Sequence, residues 1–387
     1  EQQRCTSLSN EQSSQIEYSR DSMTVCPALK TLELGVTTHP PRHSELIDVR
    51  VDEYLDPTRL ESWLRTNLPV TNGELNIKQF GGGHANLTYL IKFGRHEYVL
   101  RRPPLGPIVP RSHDMKREHR VLARLQEVYP LAPVSYALCV DPTVIGVDFH
   151  IMERRHGFVI RQQLPPDLKA DPAKTRKLSE TVVDGLTDLH RIDPRTVGLN
   201  NLGKPSGYVS RQLTGWITRW MDTKRTLPSV NHLIRWLQDN PPSQQTTTLL
   251  HNDYQLENIL VNTADPTRAV AVLDWDMCTR GDPLMDLGYL LNCWGDQDDD
   301  PWWGELTPMP QHEPGLLTRR EIVERYAKQT GFNVERSDWY HVFGVFKLLV
   351  ILQQIHIRFL RHQTQDERFA TLGARVEGLA KKGLALI

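Results

Sequence analysis

The chain has 387 residues, of which 39% are hydrophobic and 24% are charged, and these proportions are typical of a globular protein. Its 46 lysines and arginines nearly balance its 47 aspartates and glutamates, so we expect neither nucleic acid nor a membrane as a partner. The five cysteines are scattered and include no C-x-x-C pair, which argues against a zinc or redox motif. Reduced thiols of this kind favour a cytoplasmic location, and nothing in the composition indicates an oligomeric state.

The first 45 residues differ in composition from the rest of the chain. They are rich in Ser, Gln, Glu and Thr and show no sustained hydrophobic period, so residues 1–45 are predicted to form a disordered tail. Order is expected to begin near Val51, because Leu60 and Leu64 follow at helical spacing.

The next region has the alternating pattern of β-strands. Strands are predicted at 75–80, 87–93 and 98–102, with glycines at 81–83 between the first two. After a proline-rich connection, Met115, Leu122 and Leu125 share one face of a predicted helix. We therefore expect residues 46–153 to form a β-rich N-terminal lobe.

The helix that contains Met115 also has an acidic residue on its apolar face. Glu118 lies three residues after Met115 and four before Leu122, a spacing that directs its carboxylate inward. A buried carboxylate needs a partner, so a basic side chain is expected beside it.

From residue 154 onward helical periodicity predominates, and residues 154–387 are predicted to form an α-rich C-terminal lobe. Leu178, Val182 and Leu186 form one apolar stripe. The most apolar stretch, Val342 to Leu360, is interrupted by charged and amide side chains and therefore predicts a buried amphipathic helix, not a membrane span.

The segment 251–276 contains the residues with the clearest chemical interpretation. Asp253 can orient an attacking hydroxyl and accept its proton, and Asn258, five residues later, can bind Mg²⁺ from the same loop. Asp274 follows the apolar run 270–273 and can hold the same metal against phosphates. Mg²⁺ prefers oxygen ligands and takes few of them from protein, which suits one Asn and one Asp.

The spacing of these residues resembles that of a known family. The pattern His-x-Asp-x-x-x-x-Asn, followed by Asp-Trp-Asp and Gly-Asp-Pro-x-x-Asp-Leu, is similar to the aminoglycoside phosphotransferase family, relatives of choline and protein kinases. Within it, the chain looks most like the phosphotransferase-like domains associated with acyl-CoA dehydrogenases. The resemblance extends from about Phe80 to the C-terminus and implies an α+β, bilobal, protein-kinase-like fold that uses ATP and Mg²⁺.

The resemblance also implies roles for individual residues of the C-terminal lobe. Asp253 matches the catalytic base, and Asn258 and Asp274 match the metal ligands. Asp286 matches a buried acid that braces the catalytic loop.

In the N-terminal lobe the resemblance implies nucleotide contacts. Arg101 occupies the place of the basic residue that contacts the α and β phosphates and pairs with a helical glutamate, here Glu118. The glycine-rich turn can bring backbone amides close to phosphates, and its candidate cofactor-binding residues are Gly82, Gly83, Asn86 and Thr88. The segment Met152, Glu153 and Arg154 resembles the hinge between the lobes, where backbone groups receive the adenine.

Two residues depart from the family pattern. Gln255 stands where members often have a cation facing the transferred phosphate, and Ala85 replaces a frequent serine. The resulting hypothesis is an ATP-dependent phosphotransferase acting on a small-molecule hydroxyl, such as that of a hydroxyacyl-CoA-type compound. The alternatives are an aminoglycoside or macrolide kinase and an inactive, nucleotide-binding kinase fold.

Other residues near these motifs have less specific patterns. His251 is interpreted as a packed, hydrogen-bonded residue at the start of the loop. Asp276 is compatible either with a supporting position beside the metal or with a surface cap. The acidic run 296–300 is expected to be a solvated loop, with a substrate contact as the alternative.

Overall fold

The structure is a computed structural model. It describes residues 46–81, 86–105, 113–244, 246–296, 299, 302–303, 309–310, 312–362 and 367–387. The predicted tail 1–45 and the candidate residues Gly82 and Gly83 lie outside the described residues.

The first half of the described chain is built on one antiparallel sheet of six strands, in the order β1-β2-β3-β4-β6-β5. The strands are β1 Leu46–Ile47, β2 Leu75–Phe80, β3 Leu87–Phe93, β4 His96–Arg102, β5 Ser135–Cys139 and β6 Phe149–Glu153. The predicted strands 75–80 and 87–93 are confirmed at their bounds, and the third begins two residues earlier than predicted. Pairing of β3 with β4 places Thr88 opposite Arg101.

Three helices accompany this sheet: α1 Pro57–Asn67, α2 Met115–Leu125 and α3 Pro142–Ile145. The side chain of Asp114 caps α2 by accepting a hydrogen bond from the backbone N–H of Arg117 at 3.0 Å. The predicted inward face of α2 is confirmed, since Met115, Glu118 and Leu122 are all buried.

The second half is mainly helical. Its helices are α4 Pro166–Lys169, α5 Pro172–Arg191, α6 Tyr208–Asp222, α7 Pro228–Asp239, α8 Leu284–Cys293, α9 Arg319–Thr330, α10 Ser337–Leu360 and α11 Leu372–Ala385. Its short strands are β7 Phe158–Val159, β8 Thr248–Leu250, β9 Ile259–Val261, β10 Ala269–Val272 and β11 Thr279–Gly281. They form a three-stranded sheet, β10-β9-β7, and a pair, β11-β8. The predicted order, a β-rich part followed by an α-rich part, is confirmed.

The three-stranded sheet brings two distant loops together. In the antiparallel pair of β9 and β10, Ile259 lies opposite Val272. The residues just beyond this pair are therefore neighbours, and the backbone N–H of Leu273 donates to the carbonyl of Asn258 at 2.8 Å. This register places Asn258 beside the residue that precedes Asp274.

Helices α8 and α10 approach closely because α8 has a glycine at the contact. A Cβ on Gly288 would lie 2.4 Å from the carbonyl oxygen of Tyr340, so any other residue would force the helices apart. The predicted buried helix in this region is confirmed as α10. Among the described helices it alone is long and apolar enough to cross a membrane, and 61% of its most apolar stretch is buried inside the protein.

Candidate active site

Asp253 lies in the loop after β8 and is only 4% exposed. Three neutral donors surround its carboxylate. The hydroxyl of Tyr289 donates to Oδ1 at 2.7 Å, the amide of Gln255 donates to the same atom at 3.2 Å, and the amide of Asn258 donates to Oδ2 at 2.8 Å. These bonds fix the carboxylate in one orientation, and each of the three donors is uncharged.

Asp286, near the start of α8, binds the backbone of this loop through its carboxylate. Its Oδ2 accepts a hydrogen bond from the backbone N–H of His251 at 2.6 Å, and its Oδ1 accepts one from the N–H of Asn252 at 2.8 Å. The side chain is completely buried, and His190 lies 3.3 Å from Oδ2. Asn252 has a φ of +65°, a left-handed conformation that asparagine tolerates better than most residues. The carboxylate thus stabilises a strained turn directly before Asp253.

His251 has the packed position that its sequence context predicted. Its ring is fully buried against Trp275, with ring centroids 4.8 Å apart, and its Nε2 lies 3.0 Å from the carbonyl oxygen of Leu273. Burial lowers the pKa of His251 despite the carboxylates nearby. A neutral imidazole that donates to Leu273 links the loop of Asp253 to the loop of Asp274.

Asn258 and Asp274 offer oxygen atoms from adjacent loops. Both hydrogen bonds of the Asn258 amide nitrogen go to Asp253, to its backbone oxygen and to its carboxylate, each at 2.8 Å. The amide oxygen is therefore the atom left to bind a cation. Asp274 has a φ of +71°, a left-handed conformation that is costly and is often found at functional sites.

This donor set suits Mg²⁺ better than a transition metal. Among the described residues no cluster of three or more His, Cys, Asp or Glu side chains could hold a metal by itself. One carboxylate and one amide oxygen match the small number of protein ligands that Mg²⁺ takes when phosphates and water complete its shell. The two predicted metal ligands therefore fit the ion that the sequence pattern implies.

A buried ion-pair network connects the two halves at Arg101. Its guanidinium donates to Glu118 at 2.6 Å and to Asp274 at 2.9 Å. Burial by itself would lower the pKa of Arg101, but these carboxylates outweigh it and hold the pKa above its ordinary value. For Glu118 the effects are reversed: burial by itself would raise its pKa, but the charge of Arg101 holds the pKa below its ordinary value. The predicted pairing of Arg101 with Glu118 is confirmed.

One donor of Arg101 has no hydrogen-bond partner among the described residues. Its Nε is buried and makes no hydrogen bond to any residue that the structure describes. A buried N–H without an acceptor is costly, and a phosphate oxygen would satisfy it. This unsatisfied atom is compatible with the predicted phosphate contact.

Asn86 makes a contact across the lobes that its sequence position did not predict. Its amide nitrogen donates to Asp276 at 3.0 Å, and its amide oxygen lies 2.7 Å from Nδ1 of His113. Asp276 is buried, so the surface cap considered for it is wrong, while a supporting position beside the metal stays a prediction. Asn86 therefore joins the end of the glycine-rich turn to the segment that follows Asp274.

The predicted hinge lies where the chain leaves the large sheet. Met152 and Glu153 end β6, whereas β7 already belongs to the three-stranded sheet. Arg154 places its guanidinium 5.0 Å from the centre of the Phe80 ring. The backbone N–H of Glu153 donates to Val134 at 2.8 Å, so this group is occupied and adenine would have to use other backbone groups of the segment.

The described part of the acidic run 296–300 is not a solvated loop. The side chain of Asp299 is only 7% exposed and forms ion pairs with Arg319 and Lys382. Asp296 accepts a hydrogen bond from the backbone N–H of Arg319 at 3.0 Å. The prediction of a solvated loop is wrong for these residues because the basic side chains of α9 and α11 fold over them.

Tyr289 is one site residue that the sequence reasoning missed. It lies three residues after Asp286 in α8, a spacing that places both side chains on one face of the helix. Since Asp286 was already expected to support the Asp253 loop, this spacing was a usable signal. Lys347 was missed as well. Its ammonium nitrogen lies 4.5 Å from the centre of the Tyr289 ring, a position that depends on the packing of α10 on α8.

Comparison with known proteins gives the family to which the chain is similar. The model of the phosphotransferase enzyme family matches residues 76–313. Acyl-CoA dehydrogenase family member 11 of Rattus norvegicus is 28% identical over 356 residues, which cover 88% of this chain and 44% of that protein. Family member 10 of Mus musculus is also 28% identical, and the match covers 90% of this chain and 32% of that protein. The chain therefore spans less than half the length of these relatives.

A solved structure gives the corresponding comparison of folds. A protein of Ralstonia eutropha, assigned provisionally to the aminoglycoside phosphotransferases, superimposes with a TM-score of 0.75 at 27% identity, over 86% of this chain and 98% of that one. The predicted resemblance and the predicted kinase-like bilobal fold are both confirmed.

Proposed function

The chain belongs to the phosphotransferase enzyme family, and we propose that it transfers the γ-phosphoryl group of ATP to a hydroxyl of a small molecule with the help of Mg²⁺. One observation carries this proposal. A single connected set of contacts joins Asp253 to Asn258, Asn258 to the backbone beside Asp274, and Asp274 to Arg101. Phosphoryl transfer depends on such positioning and charge neutralisation more than on covalent help from the protein.

In this proposal Asp253 acts as the base. The acceptor hydroxyl donates its proton to the Asp253 carboxylate as its oxygen bonds to the γ-phosphorus, while the bond from that phosphorus to the β–γ bridging oxygen breaks and ADP leaves. Asn258 and Asp274 hold the metal, which supplies neutralisation of the phosphate charge when bound. Asp286 has a positioning role, since it touches the loop and not the reacting groups.

The nucleotide is assigned to the N-terminal lobe. Arg101 is proposed to contact the α and β phosphates through a guanidinium that Glu118 and Asp274 already orient. Thr88 lies opposite Arg101 and faces the same region. The glycine-rich turn, with Gly82 and Gly83, is proposed to cover the phosphates, and Asn86 to anchor this turn through Asp276.

The name of the relatives supports a hydroxyacyl compound as acceptor. Both curated relatives are acyl-CoA dehydrogenase family members, and a kinase-like region in such proteins would act on an acyl chain that bears a hydroxyl, for instance a hydroxyacyl-CoA thioester. Aminoglycosides and macrolides are the competing acceptors. The ion pairs of Asp299 count against a polycationic acceptor, because that acidic residue is already neutralised.

A screen for ATP consumption tests this function. Purified protein with ATP and Mg²⁺ is offered hydroxyacyl-CoA thioesters, aminoglycosides and macrolides, and the product is examined by phosphorus NMR. We expect a phosphate monoester on a hydroxyacyl compound and no reaction in the presence of EDTA. Phosphorylation of an antibiotic alone would replace the acceptor class, and no phosphorylation of any hydroxyl compound would refute the function.

One observation favours a second candidate, an inactive nucleotide-binding module. Gln255 is neutral and buried, and its Oε1 makes no hydrogen bond to any described residue. The usual cation two residues after the base is thus absent. Slow hydrolysis of ATP that disappears in Asp274→Asn would exclude this candidate, whereas nucleotide binding without any hydrolysis would support it.

A further inference from the structure

His150 lies beside the buried ion pair of Arg101 and Glu118. The pairing of β6 with β4 places His150 opposite Arg101, so both side chains are on the same face of the large sheet. The His150 side chain is completely buried, and its Nδ1 lies 3.8 Å from Oε2 of Glu118. The partner of its other ring nitrogen decides whether Nδ1 carries a hydrogen, and therefore what this ring presents to Glu118.

The two carboxylate oxygens of Glu118 have different surroundings. Oε1 accepts hydrogen bonds from Arg101 at 2.6 Å and from the backbone N–H of Trp275 at 3.4 Å. Oε2 is buried and makes no hydrogen bond to any described residue, and the same holds for Nδ1 of His150. A hydrogen on Nδ1 would make these two unsatisfied atoms a donor and an acceptor, which need to approach by only about 1 Å to form a hydrogen bond.

A serine holds the opposite side of the His150 ring. Oγ of Ser135 lies 2.9 Å from Nε2 of His150 and 2.8 Å from Nδ1 of His119, while the carbonyl oxygen of His119 is a weaker partner at 3.5 Å. A hydroxyl has one hydrogen, so Ser135 donates to one ring and accepts from the other. If Ser135 donates to His150, the hydrogen of that ring is on Nδ1 and points at Glu118. The reverse order would turn a lone pair of His150 toward the carboxylate, where two acceptors repel each other.

The first ring of this chain is suited to the favourable order. His119 is half-buried, and burial lowers its pKa, with a further lowering from its neighbour His150. A neutral His119 can donate from Nδ1 to Ser135. The hydrogen bonds then run from His119 through Ser135 to His150, and every hydrogen points toward the ion pair.

We propose that His150 is a positioning residue for the nucleotide, because its Nδ1–H holds Oε2 of Glu118 and leaves Oε1 alone to bind Arg101. A carboxylate with two free oxygens tends to pair with a guanidinium through two parallel hydrogen bonds. With Oε2 directed to His150, the other donors of Arg101 remain available for Asp274 and for the phosphate oxygen that its unsatisfied Nε requires. This inference rests on the proposed function and adds to it a residue that touches neither the nucleotide nor the acceptor.

Two substitutions separate the roles of the two ring nitrogens. The amide nitrogen of asparagine takes the place of Nδ1, so His150→Asn keeps the donor toward Glu118. The amide of glutamine takes the place of Nε2, so His150→Gln keeps only the contact with Ser135. Calorimetric titration with ADP and Mg²⁺ should show about 10-fold weaker binding by His150→Gln and at most about 3-fold weaker binding by His150→Asn. The exposed His232 of α7 gives the matched controls, His232→Asn and His232→Gln, which should bind as the wild type.

Urea unfolding of the same variants distinguishes positioning from a merely structural role. Asparagine is the smaller replacement and leaves the larger cavity, so His150→Asn should be the less stable of the two. Positioning predicts that this less stable variant is nevertheless the better binder. Equal affinities of the two His150 variants, or weaker binding by His150→Asn, would overturn the inference.

Nitrogen-15 NMR of the histidine side chains tests the direction of the hydrogen bonds in the wild-type protein. The His150 signals are identified by their disappearance in His150→Asn. A hydrogen on Nδ1, with or without a second one on Nε2, supports the inference. A ring that carries its hydrogen on Nε2 alone would overturn it, because no donor would then face Glu118.

These results can be told apart from a failure of the proposed function. Binding of ADP that depends on His150 as described, without phosphorylation of any hydroxyl compound, would leave the inference standing and refute the function. Phosphorylation by a protein whose two His150 variants bind ADP equally well would do the reverse. A wild type that binds no nucleotide would overturn both.

Discussion

The two carboxylates at the centre of the site are held in opposite ways. Asp274 is paired with Arg101, whose charge is shared with the buried Glu118. Asp253 instead receives hydrogen bonds from the neutral groups of Tyr289, Gln255 and Asn258. Asp274 is therefore held by a full charge, whereas the three donors named for Asp253 are neutral dipoles.

This difference corresponds to the tasks proposed for the two residues. A carboxylate that binds a metal and faces phosphates needs fixed cations nearby, and an arginine balances its charge before the nucleotide arrives. A carboxylate that accepts a proton must remain free to do so, and a close cation would weaken it as a base. Neutral donors orient Asp253 at a smaller cost to its basicity.

The largest expected effect is on Asp253 itself. In Asp253→Asn the amide keeps the shape of the side chain but cannot accept the proton, so kcat should fall by about 10³-fold. Binding of ATP should change little, because the charged network around Arg101 is untouched. Steady-state kinetics and a nucleotide titration measure the two quantities. The exposed Asp239 provides the control Asp239→Asn, and turnover of Asp253→Asn close to that of the control would contradict the assignment.

The charged side of the comparison is tested at Glu118. Glu118→Ala leaves the buried guanidinium of Arg101 with one partner fewer, and loss of one member of a buried ion pair typically costs about 3–5 kcal/mol of unfolding free energy. Urea unfolding measures this. Glu61→Ala removes the exposed pair with Arg65 and should cost at most about 1 kcal/mol. Equal losses of unfolding free energy in Glu118→Ala and Glu61→Ala would show that burial does not strengthen the ion pair of Arg101 with Glu118.

The neutral side is tested at Tyr289. Tyr289→Phe keeps the ring beneath Lys347 and removes only the hydroxyl that donates to Asp253 at 2.7 Å. A hydrogen bond to a charged group is worth about 1.5–3 kcal/mol, so kcat/KM should fall by about 10- to 100-fold. The rate should then rise to its plateau at a higher pH, because the carboxylate has lost a donor that stabilises its charged form. Tyr54→Phe, at an exposed tyrosine, is the control, and an unchanged pH profile in Tyr289→Phe would count against the orienting role.

The smaller of the two expected effects on stability concerns Glu257, in the same loop as Asp253. Burial raises the pKa of Glu257 from its ordinary 4.5 to about 7, although Arg161 opposes the shift. Between these two pH values the folded protein binds more protons than the unfolded chain, so the free energy of unfolding falls as the pH rises through this window. Relative to Glu257→Gln, the wild type should lose about 3 kcal/mol between pH 4.5 and 8. Urea unfolding at several pH values measures it, and parallel curves for the two proteins would contradict the raised pKa.

The sequence by itself determined the elements and the chemistry of the loops. The alternation of apolar residues predicted β2 and β3 with their correct bounds. The helical spacing of Met115, Glu118 and Leu122 predicted the inward face of α2. The inward carboxylate required a basic partner, and the resemblance identified it as Arg101. These features depend on local periodicity and on the rule that a buried charge needs a partner, and both can be applied to a sequence.

The tertiary structure alone decided which distant groups meet. Asn86 lies 190 residues from Asp276, Asp299 is paired with Arg319 and Lys382, and Lys347 reaches Tyr289 because Gly288 lets α10 approach α8. No local period records such contacts, because each depends on how whole helices and sheets pack. The loops thus carry residues whose chemistry can be predicted from the sequence, while the contacts that orient these residues arise only when the helices and sheets are assembled.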